Sequence, residues 1–170
     1  QENPEGVVTT QPRFSWQIAS NTPDLMQTAY QIQVASSEED LMQGKNLLWD
    51  TKKVKSDQSI LIPYEGSELS SRQVCFWRVK VFTNQGNSDW SPIGRWSMAL
   101  LNDADWQAKW IGEDSLSNPG ETMKGDTRLA ARYLRKPFTT DKEVKRAVLY
   151  ISGLGSNEAY INGKRVSEDV

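Results

Sequence analysis

The side chains equipped for chemistry fall in few places: the acidic runs Glu38-Glu39-Asp40 and Asp103-Ala104-Asp105, one thiol at Cys75, the basic run Lys52-Lys53-Val54-Lys55 and seven tryptophans. Paired carboxylates can serve as acid and base or hold a cation. Neither acidic run has the Asp-x-Asp-x-Asp-Gly spacing of a calcium loop, so a solvated helix start and a solvated turn account for them. The 170 residues contain no histidine, which removes His-based nucleophilic triads, His metal clusters and the commonest general base. Cys75 lies in the apolar run VCFWRVKVF and reads as a buried core thiol; alone it forms no internal disulfide. The residues therefore assign no catalytic, metal-binding or cofactor-binding position, and no substrate-binding position can be named.

Tryptophan rings stack on the apolar faces of sugars, so their number invites a carbohydrate-binding reading. Spacing argues otherwise. Trp16, Trp49, Trp77 and Trp96 lie in strand patterns and read as core, Trp106 and Trp110 as an anchor between modules, and only Trp90 as facing out. The lysine run reads as a charged strand edge that discourages sheet-to-sheet pairing. With 20 Lys plus Arg against 22 Asp plus Glu, the net charge of −2 offers no basic field for nucleic acid or an anionic membrane. The longest apolar run, Ala147 to Ile151, falls far short of the roughly 18 residues of a membrane span. The chain opens at Gln1 without a charged-then-apolar leader and stops after a polar VSED-Val170, which reads as a chain cut rather than finished.

Positioning these residues falls to strands. Period-two alternation dominates, so the expected class is all-β. Phe14, Trp16 and Ile18 alternate with polar residues after Pro12, and Tyr30, Ile32 and Val34 do the same in a half-buried strand that stops at Ser36-Ser37. Ser37 as N-cap, acids in the first turn and Gly44 as a stop predict one short helix. Further strands are expected at Leu47 to Asp50, Ser59 to Ile62, Cys75 to Thr83 and Gly94 to Ala99, with a turn at Asn84-Gln85-Gly86. Seven or so strands in this length suggest a sandwich. After Ala99 the pattern changes. A boundary near Leu101 to Asp105 gives a first domain over residues 1–101 and, over 102–170, a linker with the first strands of a second β-sandwich. Within it, Gly112 to Thr127 reads as a long loop, either functional or disordered, with disorder the favoured reading, and strands are expected at Tyr133 to Phe138, Arg146 to Ser152 and Glu158 to Ile161, the last closed by the hairpin signal Asn162-Gly163. Three strands cannot bury both faces of a sandwich, so this second domain is expected to be incomplete.

The string FWRVKVFTNQGNSDWS is similar to the end of a fibronectin type III domain, where an Arg stacks on an exposed Trp; Arg78, Arg95 and Trp90 are the residues available for that cation–π contact. In their order, ENP-x-G, QPRFSWQI, TAYQIQVASS, LWDTKKVKSDQS, FWRVKVF, DWQAKWIG, RYLRKPF, RAVLYISGLG and EAYINGKRV resemble the N-terminal region of bacterial α-L-rhamnosidases of glycoside hydrolase family 78. The resemblance implies a fibronectin type III-like β-sandwich followed by an incomplete jelly-roll-like one. It also implies an intact enzyme that hydrolyses terminal α-L-rhamnosyl residues from plant glycosides or polysaccharides with inversion, using carboxylates on an (α/α)6 barrel later in the same polypeptide. No residue here matches those carboxylates, so the chain is expected to be inactive alone and to need no cofactor. Gly155-Ser156-Asn157-Glu158 departs from the family, whose members often carry aromatic residues there. A periplasmic or extracellular location is the family's expectation. The rival readings are an autonomous carbohydrate- or protein-binding β-sandwich of a cell-surface protein and a dedicated rhamnose-binding module.

Overall fold

A computed structural model of the chain describes residues 2–112 and 132–166. The chain divides into two compact units, Gln1–Trp106 and Gln107–Val170. In the first, nearly all regular structure is β: β1 (Arg13–Phe14), β2 (Gln27–Ala35), β3 (Leu47–Asp50), β4 (Ile62–Pro63), β5 (Val74–Thr83), β6 (Gly86–Trp90) and β7 (Gly94–Ser97), with one helix, α1 (Glu38–Gln43). The five-stranded sheet runs β3-β2-β5, with β6 and β7 both pairing on the far side of β5. A two-stranded ribbon of β1 and β4 supplies the second layer.

The antiparallel β2–β5 register places Tyr30 beside Val81, Ile32 beside Val79 and Val34 beside Trp77. Period-two geometry sends all six to one face. All but Trp77 join Phe14, Ile62, Tyr64, Leu69, Cys75, Trp96 and Met98 in a single core, with Trp77, Val7, Trp16 and Trp49 packed around it. Phe14 is the aromatic hub: its ring lies 4.8 Å from Trp77, 5.5 Å from Trp96 and 5.9 Å from Trp49. Of the four tryptophans read as core, Trp96 is fully buried and the other three are half-buried at its margin.

Helix α1 forms as its termini dictate. The Ser37 hydroxyl accepts the Asp40 N–H at 3.1 Å, three acids occupy the first turn, and Gly44 closes the helix at φ +64. Its one buried side chain is Leu41, and the helix packs against β2 and β5.

Three expectations change. β2 is buried on both faces over much of its length rather than on one, because it lies between β3 and β5 and the helix packs against it. β1 ends at Phe14 instead of running to Ile18, and β4 starts only at Ile62. The reason is local: next along from the Phe14–Ile62 pair, Leu61 takes a left-handed φ of +56 and its N–H goes to the Ser15 hydroxyl, which interrupts the regular ladder, so that beyond it the contact continues only as the bond from the Trp16 N–H to the Ser59 carbonyl. In the second unit the hairpin forms between β8 (Tyr160–Ile161) and β9 (Lys164–Arg165), with Asn162 and Gly163 at φ +51 and +77, as a tight primed turn requires. Tyr133 to Phe138 and Arg146 to Ser152 form no strand. Alternation names a face but not a neighbour, and these segments have no pairing partner among the described residues; Tyr133 and Leu154 stand 99% and 93% exposed. The loop expected over Gly112 to Thr127 lies, from Glu113 on, outside the described residues.

Truncating Ile32 to Ala at the centre of the β2–β5 face removes a fully buried side chain. It should cost about 2–4 kcal/mol in urea unfolding of the protein; a loss under about 1 kcal/mol would mean this face is not the organising core.

Candidate functional site

The outer face of the five-stranded sheet gathers most of the chain's committed polar chemistry. β2 offers Gln31 and Gln33, β3 ends in Asp50, and β5 offers Arg78 and Lys80; the register sets Gln33 between Asp50 and Arg78, and Gln31 beside Lys80. Asp50 accepts from the Gln31 amide at 2.8 Å, the Gln33 amide at 3.1 Å, and both the backbone N–H and Nζ of Lys52 at 2.8 Å. Gln33 Oε1 in turn accepts two bonds from Arg78, at 3.1 Å from Nε and 2.7 Å from a terminal nitrogen. The Arg78 guanidinium lies 4.3 Å above the Trp90 ring, and Lys53 Nζ lies 4.2 Å above Phe82. A continuous chain of contacts thus runs from Lys52 through Asp50, Gln33 and Arg78 to Trp90.

Partial burial by itself would raise the Asp50 carboxyl, but the hydrogen bonds from Lys52, Gln31 and Gln33 outweigh it and hold the group at about 2. Burial pulls the Arg78 guanidinium down and the Asp50 charge pushes it back up. Such a face is a poor ligand site, because the carboxylate and the amide oxygen are already spent within the protein. Its physical role is to lock β3, β2, β5 and β6 together.

The other sequence candidates resolve as follows. Asp40 accepts from the Ser37 hydroxyl at 2.7 Å and from Asn46 at 2.8 Å, which lowers it. Asp105 accepts from the Ser71 hydroxyl and from the Asn102 backbone at 3.1 Å, which lowers it too, and it caps the 3-10 turn Asp103–Asp105. A general acid needs the opposite shift. Burial pushes the Cys75 thiol up to about 12, so it stays a thiol. Among the described residues no group of three or more Asp, Glu, Cys or His side chains gathers into a metal site, and no helix is long and apolar enough to cross a membrane.

Trp90 does not face out: it is half-buried under Arg78, because β6 lies beside β5 and the guanidinium covers the ring. Arg95 does not compete for it and instead pairs with Glu5. The exposed tryptophans are Trp106 and Trp110, at 40% and 70%. A shallow hollow lined by Thr10, Gln11, Tyr64, Glu65 and Glu68 was not foreseen; its only ring, Tyr64, is buried in the core and donates its hydroxyl to the Ser67 carbonyl at 2.8 Å, so it presents no face to a sugar. Gln31, Gln33 and Asp50 were also unforeseen as a set. Their signal was the Gln-x-Gln spacing on one strand, which has no meaning until the register supplies Asp50 and Arg78.

Comparison with known proteins places these observations. Residues 1–102 match the family described as Rha78A-like, N-terminal immunoglobulin domain, and residues 142–170 match the α-L-rhamnosidase N-terminal domain. An α-L-rhamnosidase of Formosa agariphila is 41% identical over 99% of this chain, and one from an Alteromonas species is 39% identical over 97%. The chain spans only 18% of the length of either. Among solved structures, the α-L-rhamnosidase of Streptomyces avermitilis, complexed with L-rhamnose, aligns over 66% of this chain and 11% of its own at a TM-score of 0.62 and 41% identity. That of Dictyoglumus thermophilum aligns over 66% and 13% at 0.63 and 37% identity.

The folded value of Asp50 lies below the unfolded carboxylate value, so its contribution is complete above about pH 4 and disappears as pH falls from about 4 toward 2. Asp50→Ala should therefore cost about 1–2 kcal/mol near neutral pH and only a small fraction of that near pH 2, measured as the difference between two urea titrations. Equal losses at both pH values would refute the charge-based role. Arg78→Ala should shift the tryptophan emission to longer wavelength as Trp90 loses its cover; unchanged emission would argue against the stack.

Proposed function

The chain belongs to the family of Rha78A-like N-terminal immunoglobulin domains, and on that footing we propose that it is the non-catalytic N-terminal region of an α-L-rhamnosidase. The intact polypeptide hydrolyses terminal α-L-rhamnosyl residues of glycosides or polysaccharides with inversion of configuration. The observation that carries this reading is that nearly the whole chain aligns with α-L-rhamnosidases while spanning less than a fifth of their length.

Inversion needs a carboxylic acid to protonate the leaving oxygen and a carboxylate base about 6.5–9.5 Å away to activate water on the opposite face. The acid must hold its proton near neutral pH, whereas Asp40, Asp50 and Asp105 are all shifted downward and hydrogen-bonded within the fold. That supports placing the reacting carboxylates elsewhere in the polypeptide, on an (α/α)6 barrel, with residues 1–101 as a packing module and residues from 102 on opening a jelly-roll-like second β domain. The exposed apolar side chains of the second unit, among them Tyr133, Phe138 and Leu154, fit a surface that neighbouring parts of the enzyme cover. The reading carries with it a place in carbohydrate metabolism, in the periplasm or outside the cell.

The test is hydrolysis of an aryl α-L-rhamnoside followed by NMR of the released sugar. The intact polypeptide should release the inverted β-L-rhamnose first, and the 170-residue piece should show no turnover. An intact protein inactive on aryl and natural rhamnosides alike would sink the reading, and turnover by the piece alone would sink the accessory role.

A further inference from the structure

Nine asparagines occur along the chain, and Asn162 alone is followed by glycine. The order matters because an asparagine side chain can react with the backbone nitrogen that follows it, and a Cβ on the following residue crowds that approach. Asn3 and Asn118 precede proline, which has no N–H to give up, and Asn21 and Asn87 precede Thr22 and Ser88. Four more have their amides occupied. Asn46 donates to Asp40 at 2.8 Å, Asn102 to Asp105 at 3.2 Å and Asn157 to the Gly155 carbonyl at 3.5 Å, while Asn84 accepts from the Met26 N–H and donates to the Asp24 carbonyl, each at 3.0 Å.

Asn162 has none of these protections. Among the described residues neither its amide nor the Gly163 N–H makes a hydrogen bond, both residues are exposed, and the space where a Gly163 Cβ would stand is open for 4 Å. The hairpin that carries them is thin: two pairs, Tyr160 with Arg165 and Ile161 with Lys164, extended by one bond from the Val166 N–H to the Ala159 carbonyl at 2.9 Å. Neither strand has a buried residue, and a two-stranded ribbon without a packed face opens readily.

We propose that Asn162 is a spontaneous modification site, the first position at which this chain deamidates to isoaspartate. The Gly163 nitrogen gives up its proton and attacks the Asn162 side-chain carbonyl carbon. The new C–N bond closes a five-membered succinimide as the bond to the amide nitrogen breaks, and ammonia leaves with the proton. Water then opens the ring at either carbonyl to give aspartate or isoaspartate. Ring closure needs rotation about the Asn162 Cα–C bond, which the closed turn resists, so the rate follows how often the hairpin opens. The isoaspartyl product adds one carbon to the backbone of a two-residue turn, and the two strand pairs then lose their register.

The experiment incubates the 170-residue protein in warm, mildly alkaline buffer. Isoaspartate is counted by methyl transfer from S-adenosylmethionine with a purified isoaspartyl methyltransferase and located by mass spectrometry of the tryptic peptide 147–164, which holds Asn157 and Asn162. It should appear at 162 before any other position, at no less than about a tenth of the rate in chain unfolded by guanidinium, since so short a ladder protects little. Gly163→Ala should slow it ~10-fold or more through the added Cβ, even though alanine at φ +77 weakens the turn and opening alone would speed it. Asn162→Gln should bring the count down to that of the remaining asparagines. Isoaspartate arising first elsewhere, a folded rate below that tenth, or a count unchanged in Asn162→Gln would each overturn the proposal. So would a faster reaction in Gly163→Ala, which would leave the glycine no part in it.

Discussion

The antiparallel pairing of β2 with β5 is the constraint on which the first unit depends. It runs nearly the full length of both strands, from Gln27 beside Thr83 to Ala35 beside Phe76. One face of that pair builds the apolar core and the other the polar chain around Gln33. A slip of one residue would exchange the two faces, turning Gln31, Gln33 and Arg78 into the apolar core and Ile32 and Val79 out of it. The two faces therefore protect the same register from opposite sides, one by burial and one by hydrogen bonds that only a single alignment completes.

The strands beyond that pair are fastened by different means. β3 is held by Asp50, whose four hydrogen bonds tie it to β2 and to the lysine run that follows. Lys52 and Lys53 belong to this face as well: one pairs with Asp50 and the other stands over Phe82. β6 is held by the stack of Arg78 on Trp90, and β7 by its ladder to β5 on one side and by Asn3–Val7 on the other. Charged and aromatic groups here do structural work at sheet margins, where apolar burial is weakest. That leaves little uncommitted chemistry for a reaction, in keeping with an accessory role.

The first unit also shows how a small sandwich accommodates bulky rings. Phe14 comes from a strand of only two residues, yet it touches rings contributed by β3, β5 and β7. A short strand suffices because the aromatic contacts, not the ribbon's ladder, hold the second layer in place. The ribbon is free to break at Leu61 without loosening the core.

The sequence alone determined the all-β class, the capped helix at Ser37 to Gly44, the β3 and β5 strands, the hairpin at Asn162-Gly163 and the core character of Ile32, Val34, Cys75, Val79 and Trp96. These rest on period-two alternation and on residues whose backbone or capping preferences are local. The motif order also carried the family. Tertiary structure decided the rest. Which side chains face each other across strands depends on register, so the set Gln31, Gln33, Asp50 and Arg78 had no meaning along the chain, and nothing in the spacing chose Arg78 over Arg95 as the partner of Trp90. Where a strand begins and ends depends on its neighbour's donors and dihedrals, which is why β1 stops at Phe14. The role of Asn3–Val7 was invisible for the same reason: it consists of hydrogen bonds to residues some ninety positions away, and long-range pairing is fixed only when the sheet edge it completes exists.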